Sequence, residues 1–171
     1  TPSQRDFDDL MKSNPRLQHM RSLTSATQNL YMQGNSPILK DIRLRKAIVL
    51  AMNHDGLIKG VWDGNGIWRG PVPSAYGVNS ALSQEELKEL MRYDPGEARK
   101  LLKELGYEKG LELEFMWRTN SIEEVLASDV IMQQMKQVGI TLRPQIFPHA
   151  VARRHHQRGG NEPRLEEQQF L

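Results

Sequence analysis

The chain has 171 residues, a length that suits one domain with an ordinary core, and 38% of its residues are hydrophobic. Its 23 basic and 21 acidic residues are mixed along most of the chain and give a net charge of +2, which by itself does not indicate a nucleic-acid partner. The sequence has no cysteine, so disulfides and thiolate chemistry are excluded, and it has no apolar stretch of about 18 residues that would span a membrane.

The first part of the chain predicts one short helix followed by two strands. The helix covers residues 6–12 and ends at Asn14-Pro15. Loose alternation of side chains over 17–23 and a run over 29–33 that is closed by Gly34 each predict a strand.

Two helices are predicted between residues 40 and 61. The first begins at Lys40-Asp41, and Asp55 is predicted to cap the second, which runs through Val61. The first carries a wide apolar stripe, made of Ile42, Leu44, Ala47, Ile48, Leu50 and Ala51.

A long loop rich in Gly and Pro follows, from Asp63 to Gly77. Counting Trp62 directly before Asp63, it carries three large aromatic residues, the others being Trp68 and Tyr76. This is unusual for a linker, so we expect the loop either to pack onto the core or to line a cleft.

Two helix starts follow the loop. Ser83 with Glu86 three residues later is a capping-box pattern. Asp94-Pro95 predicts a capped helix with proline in its first turn, which stops at Gly106.

The second half of the chain predicts a strand–helix–strand unit. Alternation over 111–117 gives the clearest strand, 121–138 is the longest helix, and 140–146 is a second strand. The apolar set of the helix is Ile122, Val125, Leu126, Ile131, Met135 and Val138. This order implies a right-handed βαβ unit with a parallel pair, so the fold class is α/β or α+β.

The character of the chain changes from His149. A basic run lies between Arg153 and Arg158, and residues 161–171 show little apolar periodicity, so the last ten or so residues are expected to be disordered. His149, His155 and His156 lack a carboxylate at helical spacing, which favours solvated histidines over a metal site. No aromatic platform accompanies the basic run, which argues against nucleic acid.

Support for catalysis is thin. The sequence has no nucleophile elbow and no phosphate loop. Asp63-Gly64-Asn65-Gly66 resembles a calcium loop but has no Glu at the twelfth position. Adjacent acidic pairs such as Glu123-Glu124 point about 100° apart on a helix and do not converge on one atom. We therefore expect no enzyme activity, no cofactor and no metal.

The segment from Trp117 to Asn120 is the best candidate for a ligand site. It follows the clearest strand and precedes a helix, and ligands gather at the carboxyl ends of strands in α/β sheets. Arg118 beside Trp117 suits a carboxylate with an apolar neighbour. The alternative is that Trp117 is a core residue and Arg118 is merely exposed.

Six segments between about residues 15 and 147 carry a further signal, and they are Asn29–Gln33, Leu39–Ile48, Ala51–Ile58, Gly64–Pro73, Tyr93–Leu102 with Leu105–Tyr107, and Gln134 with Val138–Ile140. In their order and spacing these segments resemble the solute-binding proteins of oligopeptide, dipeptide and nickel ABC importers. Asn53 stands where the family usually has Asp.

The resemblance implies one lobe of a type II periplasmic-binding-protein clamshell, with a small sheet and helices packed on it. Such receptors are not enzymes: they capture a peptide outside the cytoplasm, in the periplasm or extracellularly, and deliver it to an ABC permease at the membrane. On this basis residues 1–28 are expected to end the inter-lobe or first-lobe segment, 29–158 to form the second-lobe domain, and 159–171 to be a disordered tail.

The ligand-facing residues are expected at two places. Trp117, Arg118 and Asn120 are placed at the strand–helix junction, with Glu123 one turn into the helix and able to reach a ligand terminus. The loop is expected to contribute three more, Trp62, Trp68 and Arg69.

The chain departs from the family pattern after the last strand. Peptide-binding members carry an Asp for the peptide amine there, whereas residues 159–171 have neither Trp nor Asp, which we interpret as a truncated or frameshifted gene. With the first lobe missing, we expect at best millimolar affinity and an exposed lobe-facing surface that favours homo-oligomers. The alternative is a stand-alone interaction or dimerisation domain, and whether the parent binds a peptide, a nickel chelate or a sugar stays open.

Overall fold

The protein is described from a computed structural model, which covers residues 4–20, 28–70, 81–118 and 121–147. In these residues the chain forms helices and strands in the order α1 Gln4–Ser13, α2 Ile42–Ala51, α3 His54–Trp62, α4 Gln84–Leu90, α5 Pro95–Glu104, β1 Leu111–Arg118, α6 Ile122–Gln137 and β2 Ile140–Phe147. The predicted helices at both ends of the Gly/Pro loop and the strand–helix–strand unit are thereby confirmed.

The sheet of the described residues is a parallel pair. Strand β1 lies beside β2 in a register that runs from Leu111 opposite Ile140 to Arg118 opposite Phe147. Helix α6 connects the two strands, as the sequence order predicted. The fold class is therefore α/β, and the carboxyl ends of both strands lie at one edge.

The main core lies between the sheet and helices α2, α5 and α6. Its largest fully buried side chains are each less than 2% exposed, and they are Leu44, Leu50, Met135 and Ile140. Burying an aliphatic side chain of this size contributes roughly 1.5–3 kcal/mol. This cluster holds the sheet against the helices and so fixes the position of the βαβ unit.

A smaller core cluster joins α3 to α6. Leu57 and Val61 of α3 pack with Ala127 of α6, and Trp62 is partly buried against them. One hydrogen bond supports the junction, because the backbone N–H of Asn53 donates to Oε1 of Gln134 at 3.0 Å. This cluster places the end of α3, where the loop begins, beside the first half of α6.

Four helices begin where the sequence predicted, and each start has a capping side chain; the caps predicted at Ser83 and Asp94 are confirmed. Side chains of Asp41, Ser83, Asp94 and Ser121 accept backbone N–H groups at the starts of α2, α4, α5 and α6, and Ser83 forms the full capping box with Glu86. These bonds satisfy donors that have no partner inside the helix.

The start of α3 differs from the prediction. Asn53 is the N-cap, and its Oδ1 accepts the N–H of Gly56 at 2.8 Å. Asp55 lies in the first turn of the helix. The prediction that Asp55 caps this helix was wrong because Asn53, an equally good capping residue, precedes it by two positions.

The two strands predicted in the first part of the chain are not found in the described residues. Residues 17–20 and 29–33 belong to no strand there, while 21–27 lie outside the described ranges. Around Tyr31 the alternation itself is real: Leu30 and Met32 pack against the main core, and Tyr31 is 76% exposed. Alternation sets the faces of side chains, whereas a strand also requires a paired backbone.

Three residues of the predicted apolar faces are exposed. Ile42 is 70% exposed, Ile122 is 66% exposed and Leu126 is 45% exposed. The buried positions on α6 include the small residues Ala127 and Ser128 instead. The prediction from helical spacing was therefore partly wrong about which face of α6 is buried. The small side chains of Ala127 and Ser128 allow α3 to pack closely on the face that is buried instead.

Several predictions concern residues outside the described ranges. These are the later part of the loop at 71–80, Asn120, the histidines and basic run after 148, and the tail at 159–171. The domain boundaries also stay predictions. None of the helices in the described residues is long and apolar enough to cross a membrane.

Candidate ligand-binding site at the β1–α6 junction

The first part of the candidate site is the junction of β1 and α6. Trp117 and Arg118 are the last residues of β1, and their partners in the register are Ile146 and Phe147 of β2. Residues 119 and 120 lie outside the described ranges, and Ser121 then caps α6, where its Oγ accepts the N–H of Glu124 at 3.2 Å. The junction thus lies at the carboxyl edge of the parallel pair, where α/β folds commonly bind ligands.

Glu123 lies in the first turn of α6 and is half-buried. Hydrogen bonding from its own backbone N–H, and then from the Ser121 side chain, lowers the pKa of Glu123. It is therefore ionised at neutral pH. With Glu124 beside it, the positive end of the helix dipole already faces two carboxylates. This arrangement favours a cationic group of a ligand over an anionic one.

Trp62 was predicted as part of the loop and is instead the last residue of α3. It packs against the small core cluster of Leu57, Val61 and Ala127, which joins α3 to α6. Ala127 lies four residues after Glu123, so these two residues share one face of α6.

Trp68 is packed down by a set of contacts that we call the Trp68 clasp, formed by His54, Asp55, Trp68 and Gln84. The indole Nε1–H donates to Asp55 Oδ1 at 2.6 Å, and the ring centroids of His54 and Trp68 are 4.7 Å apart. The backbone N–H of Trp68 donates to Gln84 Oε1 at 3.0 Å, and Gln84 Nε2 donates to the Trp68 carbonyl at 2.8 Å.

The clasp decides between the two alternatives for this part of the loop. Trp68 is only 8% exposed, and its contacts fix it to the starts of α3 and α4. Arg69, the next residue, is half-buried. The loop therefore packs onto the domain at residues 68–70, whereas residues 63–67 are exposed.

Sequence reasoning did not identify His54 and Gln84, and it assigned Asp55 a different role. Asp55 and Trp68 are 13 residues apart and Trp68 and Gln84 are 16 apart, spacings that no local periodicity connects. The signal that could have indicated the Asp55–Trp68 contact is a tryptophan in a loop that follows a helix with Asp in its first turn, and this signal is weak. Among the described residues, no group of three or more His, Cys, Asp or Glu side chains is arranged to hold a metal ion.

Comparison with known proteins gives consistent matches. The model of the family described as "Bacterial extracellular solute-binding proteins, family 5 Middle" matches residues 2–163. A dipeptide-binding protein from Escherichia coli (strain K12) is 35% identical over 81 residues, which are 46% of this chain and 14% of that protein. Heme-binding protein A from Haemophilus influenzae is 23% identical over 156 residues, which are 87% of this chain and 27% of that protein.

Solved structures agree with the fold. The oligopeptide-binding protein AppA from Bacillus subtilis, in complex with a nonapeptide, matches 71% of this chain and 26% of its own with a TM-score of 0.60 at 16% identity. The periplasmic binding protein DppA from Helicobacter pylori, in complex with the peptide STSA, matches 70% of this chain and 22% of its own with a TM-score of 0.59 at 21% identity.

The chain spans 14% and 27% of the lengths of the two curated relatives. Its α/β fold is that of one lobe of a type II periplasmic binding protein, as the resemblance implied. The family model covers nearly the whole chain, and the chain therefore belongs to the bacterial extracellular solute-binding proteins of family 5.

Proposed function

We propose that this chain forms part of one lobe of a receptor that captures peptides and delivers them to an ABC permease. The receptor acts without catalysis, in the periplasm or at the extracellular side of the membrane. The family match over residues 2–163 supports this, as do relatives that are named as dipeptide- and oligopeptide-binding proteins.

The single observation that carries the peptide assignment is the position of Glu123 in the first turn of α6, next to the carboxyl edge of the parallel pair. A peptide presents an ammonium group at its N-terminus, which such a carboxylate binds by charge-assisted hydrogen bonds. We further propose that Trp62, which packs against the cluster joining α3 to α6, supplies an apolar wall for a neighbouring side chain. From their positions in the chain we assign Trp117, Arg118 and Asn120 to the same site and propose that Arg118 binds the peptide carboxylate.

Arg69 and Trp68 have a different part in this proposal. The clasp buries Trp68, so its role is to hold the loop rather than to contact ligand. Arg69 follows Trp68 directly and is proposed to reach the ligand from the loop.

The affinity of the chain alone is expected to be no tighter than about 1 mM, which corresponds to about −4 kcal/mol. One lobe buries only one side of a peptide, and the cost of immobilising the ligand is the same as in a closed receptor. The opposing lobe of the relatives has no counterpart in the described residues.

A backbone NMR titration of the 171-residue chain with trialanine tests the proposal. We expect amide shifts concentrated at residues 121–127 and around Trp62, with half-saturation in the millimolar range. N-acetylated trialanine, which lacks the ammonium group, should lose most of the effect. Glu123→Gln should weaken binding severalfold, whereas Glu89→Gln on exposed α4 should not change it.

Two results would overturn the proposal. One is equal binding of the acetylated and free peptides, and the other is a shift pattern centred away from the junction. Micromolar binding by this chain would contradict the single-lobe interpretation specifically.

A second candidate, a stand-alone dimerisation domain, is favoured by one observation. Ile122 and Leu126 are exposed and lie four residues apart on one face of α6. If this face forms a dimer, sedimentation velocity should show a concentration-dependent dimer that Leu126→Lys abolishes. A monomer throughout a roughly 100-fold range of protein concentration would exclude the dimer. The receptor assignment would then remain.

A further inference from the structure

The Trp68 clasp contains one group whose charge changes near physiological pH. His54 is the first residue of α3, and its ring lies 4.7 Å from the Trp68 ring at an angle of 35°. Its Nδ1 lies 3.1 Å from the carbonyl oxygen of Met52. A neutral ring that carries its proton on Nδ1 donates to this carbonyl, which fixes both the tautomer and the orientation of the ring.

Two features of the site oppose a positive charge on His54. The ring is partly buried between the helix start and the indole, and burial lowers the pKa of His54. The N-terminus of α3 also directs the positive end of the helix dipole at residue 54, which disfavours a cation there. The neutral ring is thus the form that fits the clasp.

We propose that the Trp68 clasp is a pH-sensitive fastening, which holds the loop onto α3 and α4 while His54 is neutral and loosens when the imidazolium forms. The imidazolium demands hydration, and the ring obtains it by moving away from the indole. Because Trp68 is also bonded to Asp55 and Gln84, displacement of its ring strains these bonds and weakens the attachment of the loop as a unit.

The other charged groups that the described contacts bring to the clasp are Asp55 and Lys88. The Asp55 carboxylate attracts an imidazolium, but it already accepts the Trp68 indole N–H at 2.6 Å and lies 3.7 Å from Lys88 Nζ on α4. Lys88 repels the imidazolium in turn. The face of the indole attracts a cation as well, and this attraction is smaller where the two rings are tilted. The Met52 carbonyl also accepts from the Nδ1–H of the imidazolium and so favours the charged ring. The proposal therefore requires that burial and the helix dipole outweigh all three attractions.

The proposal rests on the contacts of the loop alone and holds whether or not the domain binds peptides. Its consequence is that the segment carrying Arg69, which follows Trp68, changes its freedom of movement between neutral and mildly acidic pH. Acidification of the surrounding solution therefore increases the mobility of this loop.

NMR of the full chain between pH 7.5 and 5 tests the fastening with two signals. The His54 imidazole should titrate below the ordinary value of about 6.5. The protection of the Trp68 indole N–H against solvent exchange should fall over the same pH range. The His54 pKa is higher in the loosened state than in the attached state, and each unit of this difference lowers the protection tenfold. The indole signals of Trp62 and Trp117 serve as internal references.

His54→Gln is the matched control, since glutamine keeps a hydrogen-bonding amide and does not titrate. In this variant the Trp68 protection should be independent of pH over the same range. Asp55→Asn keeps an acceptor for the indole and should retain the pH dependence of the native chain.

Three outcomes would contradict the proposal. The His54 imidazole could titrate above about 6.5, or the exchange protection of the Trp68 indole N–H could stay constant while His54 titrates. The third outcome is that His54→Gln keeps the pH dependence of the native chain. If His54→Gln does not fold, the coincidence of the two titrations in the native chain decides the matter alone.

Discussion

Trp68 and Asp55, 13 residues apart, are joined by an indole N–H···carboxylate hydrogen bond of 2.6 Å that ties the Gly-rich loop to the first turn of α3. The indole is buried, whereas the Asp55 side chain is 62% exposed. Hydrogen bonds to charged groups contribute about 1.5–3 kcal/mol, and solvent screening at the exposed carboxylate reduces this to about 1 kcal/mol.

A double-mutant cycle of Trp68→Phe and Asp55→Ala measures this bond. Each single change should lower the free energy of unfolding in urea, and the double variant should lose less than the sum of the two, with a coupling of about 1 kcal/mol. Asp55→Asn, which retains an acceptor, should lose less than Asp55→Ala. Additive effects of the two changes would show that the contact contributes nothing to stability.

The start of α2 predicts an acid-dependent loss of stability. Arg43 donates to the Asp41 carboxylate from its guanidinium at 2.7 Å and from its backbone N–H at 2.9 Å, and these bonds lower the pKa of Asp41 to about 2. The folded-state pKa lies below the ordinary value, so the contribution is complete above about pH 4 and is lost as the pH falls toward 2.

Asp41→Asn removes this contribution while keeping a capping side chain. The free energy of unfolding of the native chain minus that of the variant should therefore be constant from pH 7 to 5 and decrease between pH 4 and 2. Arg43→Gln should raise the Asp41 pKa toward its ordinary value, so the decrease should be smaller and should be complete at a higher pH. A difference that does not change between pH 5 and 2 would contradict this account.

Local rules predicted much of this fold. The predicted caps at Ser83 and Asp94 are confirmed, because a capping residue acts within three positions of itself, and the helix starts predicted at Asp41 and Ser121 also have capping side chains. The parallel β1–β2 pair followed from the order strand–helix–strand, since a helical crossover leads to a parallel neighbour.

Long-range contacts set what the sequence did not reveal. Asp55 was predicted to cap α3 and instead accepts the Trp68 indole, and Ile122 was predicted to be buried and is 66% exposed. The cap at α3 is taken locally by Asn53, but the Asp55–Trp68 contact and the exposure of Ile122 depend on which elements meet in space: Gly70 and Gln84 bring the loop to α4, and α3 packs on Ala127 of α6. The candidate site was predicted at a junction that the fold does form, while the roles of the individual side chains there remain predictions.

Leu50 of α2 and Leu90 of α4 are a matched pair for the main core. Leu50 is 1% exposed and Leu90 is 65% exposed. Leu50→Ala should lower the free energy of unfolding by about 2–5 kcal/mol, because it removes buried apolar surface and leaves a cavity. Leu90→Ala should change it by less than about 0.5 kcal/mol. Similar losses in the two variants, measured by urea unfolding, would mean that α4 packs more deeply than the structure shows.

Gly139 and Gly60 allow backbone strain to be measured without a steric clash. Gly139 ends α6 with φ +93°, and its carbonyl accepts the Leu111 N–H at 2.9 Å, so it connects the helix end to the sheet. Gly60 lies inside α3 without a positive φ, and a Cβ added at either position meets nothing within 4 Å.

The two alanine variants should therefore differ in sign. Gly139→Ala should destabilise the fold by about 1–2 kcal/mol, since a left-handed conformation strains any residue with a Cβ. Gly60→Ala should stabilise it by about 0.5–1 kcal/mol, because alanine loses less backbone entropy in a helix. Urea unfolding with an unchanged slope makes the comparison direct. If Gly139→Ala left the free energy of unfolding unchanged, the turn between α6 and β2 would have to relax to negative φ. That change would move the carbonyl that accepts the Leu111 N–H and would disturb the register of the parallel pair.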